Sequence, residues 1–200
     1  MVFSVVVVRN FGRGPARRNT FCRRGRRDEQ GARATSDRTR ASVTVAVVGR
    51  ETPATRAAAK AGIAITLHEY EHDPAAESYG LEAASALSLD PARVFKTLIV
   101  GCDEVLTVCI VPASATLDLH ALGKHAGLAP VQRAERVTGY VAGGISPLGQ
   151  RRALPTLLDD SALQFETVLV SAGRRGLQME LRPQDLVSAT RAEIRKLRRD

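Results

Sequence analysis

Two hundred residues, 44% of them hydrophobic, are enough for one domain with a buried core, and three cysteines exclude a small scaffold stapled by disulfides. The net charge of +8 comes from the first quarter of the chain: residues 1–50 hold twelve arginines and three acids, whereas residues 51–200 carry a net charge of −1. The longest apolar run, residues 105–113, has about half the length of a transmembrane helix, so we expect no membrane contact.

Residues 1–50 are rich in arginine and lack helical or strand periodicity, so we predict a disordered basic extension before a folded domain at 51–200. Three interpretations are open: a basic arm that binds nucleic acid, an organellar transit peptide, and translated upstream sequence from an over-long gene model. We favour the last, because the patterns of a folded domain begin abruptly at Thr52-Pro53. Residues 43–48 are also compatible with a short strand.

The predicted elements of the domain alternate between helix and strand. In chain order they are a helix (54–61), a strand (63–71), a helix (79–87), a helical turn after Asp90-Pro91, a hairpin of two strands (94–100 and 105–111), two helices (119–126 and 130–137), a glycine-rich loop (138–149), two strands (154–158 and 167–171), a turn (172–176), a returning strand (177–181), a helix (183–190) and a basic segment (191–199). This interleaving predicts a single mixed α/β sheet with flanking helices rather than a purely parallel doubly wound sheet.

The glycine-rich loop organises the rest of the chain. Four of the twelve residues from Thr138 to Gly149 are glycine, and Gly143-Gly144 lie between Tyr140 and a Ser-Pro corner. Glycine lets a backbone approach a ligand closely, so such a loop can direct N–H groups at a carbonyl or phosphate oxygen. On glycine spacing alone, an ordinary tight turn is the alternative.

Residues 68–72 read His-Glu-Tyr-Glu-His, which matches a zinc motif letter for letter. That motif binds zinc only on a helix, where the two histidines share a face. Here the flanking residues alternate like a strand, in which four residues span roughly 13 Å, too far for two ligands of one ion. We therefore predict no metal and a strand that borders a cleft or solvent. A zinc hydrolase that uses His68 and His72 remains the alternative.

Lys96 lies within an apolar run, where a lysine either points to water at a sheet edge or binds an anion in a pocket. The three tyrosines of the chain, Tyr70, Tyr79 and Tyr140, all fall in candidate site segments. Each offers a ring face for a base or ribose and a hydroxyl for hydrogen bonding.

Several reactive residue types have plain structural interpretations. Cys102 and Cys109 lie in or beside apolar strands, as buried thiols do, and His120 and His125 are expected at the surface of a helix. Ser146 lacks the sequence of a nucleophile elbow. Two arginine pairs on turns, Arg151-Arg152 and Arg174-Arg175, are either solvated charges or phosphate contacts.

Taken in order, a set of short segments resembles the YbaK family of aminoacyl-tRNA deacylases, relatives of the bacterial prolyl-tRNA synthetase editing domain. The segments are Thr52-Pro53-Ala54, residues 67–74, Phe95-Lys96-Thr97-Leu98, Leu117-Asp118-Leu119, Thr138-Gly139-Tyr140, residues 143–150, Leu154-Pro155-Thr156 and residues 171–176. They cover about residues 52–188, and residues 1–50 have no counterpart.

The resemblance implies a mixed α/β fold and hydrolysis of a mischarged aminoacyl-tRNA ester, with Cys-tRNA(Pro) as the best-known substrate. It implies that Lys96 is the essential lysine, that Gly143 and Gly144 present backbone groups to the ester, and that further positions line the substrate. Those further positions are Tyr70, Tyr79, Thr97, Tyr140, Ser146 and Asp159. No cofactor is implied, and the thiol of a cysteinyl substrate is an alternative nucleophile to water.

A domain of net charge −1 should bind tRNA weakly, because neutralised phosphates dominate such affinity. The resemblance implies a partner, prolyl-tRNA synthetase, that binds the tRNA(Pro) while the ester is hydrolysed. The expected location is the cytoplasm. Arg151, Arg152, Arg174, Arg175 and the basic C-terminus are the expected local tRNA contacts. Two alternatives stay open: the same fold with another specificity, such as Ala-tRNA(Pro), and a non-catalytic binding module.

Overall fold

The computed structural model describes residues 51–102 and 105–199. The predicted extension over residues 1–50 and the possible strand over 43–48 lie outside these residues. The helices are α1 (Pro53–Lys60), α2 (Tyr79–Ala86), α3 (Val131–Thr138) and α4 (Pro183–Thr190). The strands are β1 (Thr66–Glu69), β2 (Val94–Cys102), β3 (Val105–Pro112), β4 (Gly127–Leu128), β5 (Thr156–Asp159), β6 (Val168–Ser171), β7 (Leu177–Leu181) and β8 (Glu193–Arg195).

The strands form one mixed sheet in the order β1-β7-β6-β2-β3-β5-β8, and β4 pairs with β2 beside this path. The pairs β1/β7, β6/β7, β2/β3 and β2/β4 are antiparallel. The pairs β2/β6, β3/β5 and β5/β8 are parallel. The predicted single mixed α/β sheet is therefore confirmed, and so is the antiparallel hairpin of β2 and β3.

The strands and helices bury two separate hydrophobic clusters. The larger cluster contains Phe95 of β2 and receives side chains from α1, α3 and α4. The smaller one contains Val94 of β2 and Leu169 of β6, covered by Ala83 and Ala84 of α2. Small alanines let α2 approach the sheet closely, which places the start of α2 beside β2.

The first helix follows the predicted capping. Thr52 accepts a hydrogen bond from the Thr55 N–H at 3.1 Å, and the Thr52 N–H donates to Thr55 Oγ1 at 2.8 Å. Thr52 Oγ1 also donates to the Ala172 carbonyl at 2.5 Å. The cap therefore ties the start of α1 to the end of β6.

Four predictions differ from the structure. The helix expected over 119–126 is a 3-10 turn, His120–Leu122, because Gly123 has φ = 134° and the chain then pairs with β2 as β4. The helical turn after Asp90 is an ordinary turn, in which the Arg93 N–H donates to the Asp90 carbonyl at 2.9 Å. The first strand is shorter than 63–71. The basic segment forms the unpredicted strand β8.

Candidate active site

A cavity of about 570 Å³ opens between the start of α2, strand β2, helix α3 and the glycine-rich loop. Its lining combines apolar side chains with a few polar groups. The polar lining residues are Glu77, Ser78, Tyr79, Lys96, Thr97, Ser171 and Gln178, and the glycines are Gly80 and Gly143. A pocket of this volume and mixed polarity is suited to a small organic group.

Lys96 is half-buried in the wall of this cavity. Its Nζ donates to the carbonyls of Ala115 at 2.6 Å and Ala113 at 3.2 Å. Burial lowers the pKa of Lys96, because removal from water disfavours the charged form. An ammonium group has three N–H donors, so the two carbonyls leave one donor for a ligand.

Gly143 and Tyr79 are in direct contact across the cavity mouth. A Cβ added at Gly143, where φ is 82°, would lie 2.7 Å from Cζ of Tyr79, so only glycine allows this approach. The Arg175 guanidinium carbon lies 5.2 Å from the centroid of the same ring, and the Arg175 Nε donates to the Ala142 carbonyl at 2.9 Å. The ring of His72 lies 5.5 Å from the Tyr79 ring. Tyr79 is thus held on several sides.

The two central glycines of the loop have different roles. The Gly144 N–H donates to the Val141 carbonyl at 3.0 Å, so it is used within the loop. A Cβ at Gly144 would lie 2.9 Å from Cα of Arg174, which makes Gly144 the point where the loop packs on the β6–β7 turn. The Gly143 N–H has no hydrogen-bond acceptor among the described residues. Gly143 therefore offers the N–H donor.

Two buried polar atoms around the cavity have no hydrogen-bond partner among residues 51–102 and 105–199: Thr97 Oγ1 and Gln178 Oε1. Such atoms are costly in a folded protein and are kept where a ligand can pair with them. The side chain of Gln178 hydrogen-bonds the Tyr70 hydroxyl, and the pKa of Tyr70 is raised by burial and by the nearby Glu82 carboxylate. Gln178 therefore connects Tyr70 to the cavity.

Comparison with known proteins assigns the chain to a family. The model of the aminoacyl-tRNA editing domain matches residues 73–189, more than half of the chain. The chain belongs to the aminoacyl-tRNA editing domain family. This confirms the resemblance drawn from the sequence and, with it, the expected enzyme class, a deacylase of mischarged aminoacyl-tRNA.

A relative and two solved structures agree with this assignment. The chain is 35% identical over 136 residues to Enterococcus faecalis EbsC, described as a Cys-tRNA(Pro)/Cys-tRNA(Cys) deacylase, covering 64% of this chain and 83% of EbsC. A structure described as a trans-editing enzyme for prolyl-tRNA synthetase is 23% identical, with a TM-score of 0.65 over 75% of this chain and 99% of its own. Protein APE2540 is 23% identical, with a TM-score of 0.66 over 74% and 100%. These two structures show the fold.

In this editing domain, the structure brings together four of the residues singled out from the sequence. Lys96, Thr97, Tyr79 and Gly143 all line the cavity. Tyr70 lies behind the lining, in contact with it through Gln178.

Tyr140 and Ser146 are buried in the loop and do not line the cavity. The Tyr140 hydroxyl donates to the Leu148 carbonyl at 2.7 Å, and burial raises the pKa of Tyr140 to about 12. Ser146 Oγ accepts the Leu148 N–H at 3.2 Å. Both side chains hold the shape of the glycine-rich loop of the editing domain.

Asp159 lies at the end of β5, away from the cavity lining, and its side chain is fully buried. Its carboxylate accepts hydrogen bonds from the Leu197 N–H at 2.8 Å, from Ser161 and from the Arg198 guanidinium. Burial alone raises the pKa of Asp159, but the bonds from Ser161, Leu197 and Arg198 outweigh it and hold the pKa below its ordinary value. Asp159 thus anchors the C-terminal segment.

The zinc motif lies on β1 and the loop after it, as predicted for a strand. His68 Nε2 is 2.7 Å from a Glu180 carboxylate oxygen, and His72 Nδ1 is 3.0 Å from one of Glu82. The two imidazoles therefore face different carboxylates. His120 and His125 are exposed, and burial raises the pKa of the Cys109 thiol to about 12, as expected for a structural cysteine.

Sequence reasoning missed Gln178 and Ser171, which lie opposite each other on β7 and β6 and face the cavity. The sequence held no clear signal for them, because Gln178 and Glu180 alternate with apolar residues along β7, the ordinary pattern of a half-buried strand. No helix within the described part of the chain is both long and apolar enough to cross a bilayer.

Proposed function

We propose that this chain is a cytoplasmic trans-editing deacylase that hydrolyses Cys-tRNA(Pro) together with prolyl-tRNA synthetase. The relative that is 35% identical acts, by its description, on Cys-tRNA(Pro) and Cys-tRNA(Cys). The observation that supports the reaction most directly is that one cavity is lined both by Lys96, which has a spare ammonium donor, and by Gly143, whose N–H has no acceptor among the described residues. Deacylation needs these groups and no metal ligand.

In the proposed complex the aminoacyl group enters the cavity and the terminal adenosine lies beside the ring of Tyr79, whereas Tyr70 acts from behind the lining through Gln178. A nucleophile attacks the ester carbonyl carbon, and the carbonyl oxygen becomes an oxyanion. The Gly143 N–H and the third N–H of Lys96 stabilise that oxyanion, which is a major source of rate in acyl transfer. The bond between the carbonyl carbon and the ribose 3′-oxygen then breaks, and the proton released by the attacking water or thiol passes through solvent to the departing 3′-oxygen.

The nucleophile is either water or the thiol of the cysteinyl substrate. An aminoacyl ester is already activated, so positioning and oxyanion stabilisation supply most of the required acceleration. The cavity agrees with this mechanism. Its lining includes Ser78 and Ser171 but no histidine, so the lining residues provide no serine–histidine pair that could act as a nucleophile. Gln178 lines the cavity and its buried Oε1 has no partner among the described residues, so rotation of the amide toward the cavity would let Oε1 accept a hydrogen bond from the α-ammonium group of the substrate.

The test measures release of cysteine and of alanine from tRNA(Pro), with and without prolyl-tRNA synthetase, for wild type and Lys96→Ala. We expect wild type to release cysteine and Lys96→Ala to lose at least about 100-fold of that rate. Release of alanine, which has no thiol, would show attack by water and a broader specificity. If wild type released no amino acid from either ester, the proposed deacylase activity would be refuted. Full activity of Lys96→Ala would refute the assignment of Lys96 to the active site.

A further inference from the structure

The thirteen arginines of the described residues fall into two groups, those with an ion-pair partner and those without. Seven have a carboxylate partner within 4.0 Å: Arg56, Arg93, Arg174, Arg182, Arg195, Arg198 and Arg199. Six have none among residues 51–102 and 105–199: Arg133, Arg136, Arg151, Arg152, Arg175 and Arg191. Four of these six, Arg136, Arg151, Arg152 and Arg175, are exposed and border the glycine-rich loop, and we call these four the arginine cluster.

All members of the arginine cluster border the glycine-rich loop that forms one wall of the cavity. Arg136 is in the last turn of α3, just before the loop. The Arg151 and Arg152 N–H groups donate to the Thr138 and Val137 carbonyls at 2.8 and 3.1 Å, which folds the end of the loop back onto α3. Arg175 is attached to the middle of the loop through Ala142.

Two members of the arginine cluster are attached to the backbone around the loop. Arg151 Nη1 donates to the Arg136 carbonyl at 3.4 Å, and Arg175 Nε donates to the Ala142 carbonyl at 2.9 Å. The acid nearest in sequence, Glu135, accepts the Ala142 N–H at 2.8 Å and makes no ion pair with the cluster. The loop is therefore bordered by guanidinium groups whose charge no carboxylate of the described residues neutralises, and an anion can pair with such groups.

We propose that the arginine cluster binds the phosphate backbone of the tRNA acceptor stem next to the esterified end. This proposal rests on the proposed function, which places the esterified end in the cavity. It also specifies which of the basic residues contact the tRNA. Arg174, paired with Glu69, and Arg198, paired with Asp159 and Asp160, are excluded because their charge is already neutralised. The remaining surface for the tRNA backbone runs along α3 and the glycine-rich loop, on a domain whose net charge is nearly neutral.

The acidic residues before α2 support this choice. Besides the paired Glu69, the segment from β1 to the start of α2 carries Glu71, Asp73 and Glu77, and Glu77 lines the cavity itself. A polyanion is repelled by these unpaired carboxylates and attracted to the arginine cluster. Guanidinium groups bind phosphates with two parallel hydrogen bonds, which fixes orientation without reading sequence.

The experiment compares Arg151→Gln/Arg152→Gln with the control pair Lys124→Gln/Arg191→Gln, two exposed cations without an ion pair near β4 and at the end of α4. Binding of uncharged tRNA is measured over a range of salt concentrations. We expect the slope of log K against log salt to fall by about two for the first pair and to stay unchanged for the control. Between about 50 and 200 mM salt, affinity should therefore fall by a factor about 16-fold smaller than in wild type.

A second arm separates binding of the stem from the chemistry. Deacylation of full-length aminoacyl-tRNA is compared with that of a short aminoacylated CCA oligonucleotide, which lacks the stem. We expect Arg151→Gln/Arg152→Gln to raise KM on tRNA and to leave both constants unchanged on the oligonucleotide. An unchanged salt slope, or an equal change in the control pair, would overturn the proposal. Because the binding arm uses uncharged tRNA, it stands even if wild type hydrolyses neither ester.

Discussion

Gly143 and Tyr79 are so close that no side chain fits between them: a Cβ at Gly143 would lie 2.7 Å from Cζ and 2.8 Å from Cε1 of the ring. The contact joins the glycine-rich loop to the first residue of α2, which are 64 positions apart in the chain. It makes the shape of the cavity depend on a residue without a side chain, and it gives the sharpest test of the site.

Gly143→Ala should displace the Tyr79 ring and lower kcat/KM by about 100-fold, the cost of roughly 1 Å of misplacement. The matched control is Gly62→Ala, where φ is also positive, 68°, but nothing lies within 4 Å of the new Cβ. Both variants should lose about 1 kcal/mol of stability from backbone strain, measured by denaturant unfolding. Equal turnover in the two variants would show that the contact with Tyr79 does not matter.

The pH dependence of turnover should report the ionisation of Lys96. Burial lowers the Lys96 pKa from its ordinary value of 10.5, so the charged donor is present at low pH and lost as pH rises through the lowered pKa. After subtraction of spontaneous ester hydrolysis, wild-type kcat should decline on the alkaline side below pH 10.5. Lys96→Arg should reduce kcat but abolish this decline, because guanidinium stays protonated. A decline that persists in Lys96→Arg would assign it to another group.

Gln178→Met should separate a binding role from a structural one. Loss of the unpartnered Oε1 removes a buried acceptor, so stability should stay within about 1 kcal/mol of wild type. Because Oε1 would accept a hydrogen bond from the substrate, kcat/KM should fall by about 10-fold or more. Tyr70→Phe is the companion variant, since it removes only the hydroxyl that Gln178 contacts. Wild-type kinetics in Gln178→Met would remove this residue from the site.

Asp159→Asn should affect stability and leave turnover of the folded enzyme unchanged. The folded-state pKa of Asp159 is lowered, so its contribution is present above the unfolded pKa near 3.8 and is lost as pH falls through the lower, folded value. At neutral pH the loss should be about 3 kcal/mol, because Arg198 is left without its buried partner. In the variant, the free energy of unfolding should also change less with pH on the acid side than it does in wild type.

The control for that variant is Asp160→Asn, since Asp160 contacts the same Arg198 guanidinium but its side chain is 46% exposed. A surface ion pair contributes at most about 1 kcal/mol, so this change should be small. Stability at pH 7 is measured by urea unfolding for both. A large loss of kcat in Asp159→Asn at temperatures where it is fully folded would return Asp159 to the active site.

Local signals in the sequence were sufficient for most of the elements and for the centre of the site. Capping residues and periodicity predicted α1, α2, α3 and α4, and Lys96 stood out as a charge within an apolar strand. The class of fold followed from the interleaving of strands and helices. The family resemblance, confirmed by the match over residues 73–189, added the expected chemistry.

Other features depended on contacts between distant residues. Strand β8 is only three residues long, and it exists because β5 pairs with it and Asp159 binds the Leu197 and Arg198 N–H groups. The 3-10 turn at residues 120–122 replaces a helix because β4 pairs with β2.

The sequence by itself determined which backbone each segment prefers and that a lysine and a glycine-rich loop are special, because capping, periodicity and φ preferences are local. Only the tertiary structure decided what these residues face. It separated Gly143, whose N–H is available, from Gly144, whose N–H is used, and Arg151, which is unpaired, from Arg174, which is neutralised by Glu69. The physical reason is that hydrogen-bond partners and neutralising charges come from residues far along the chain.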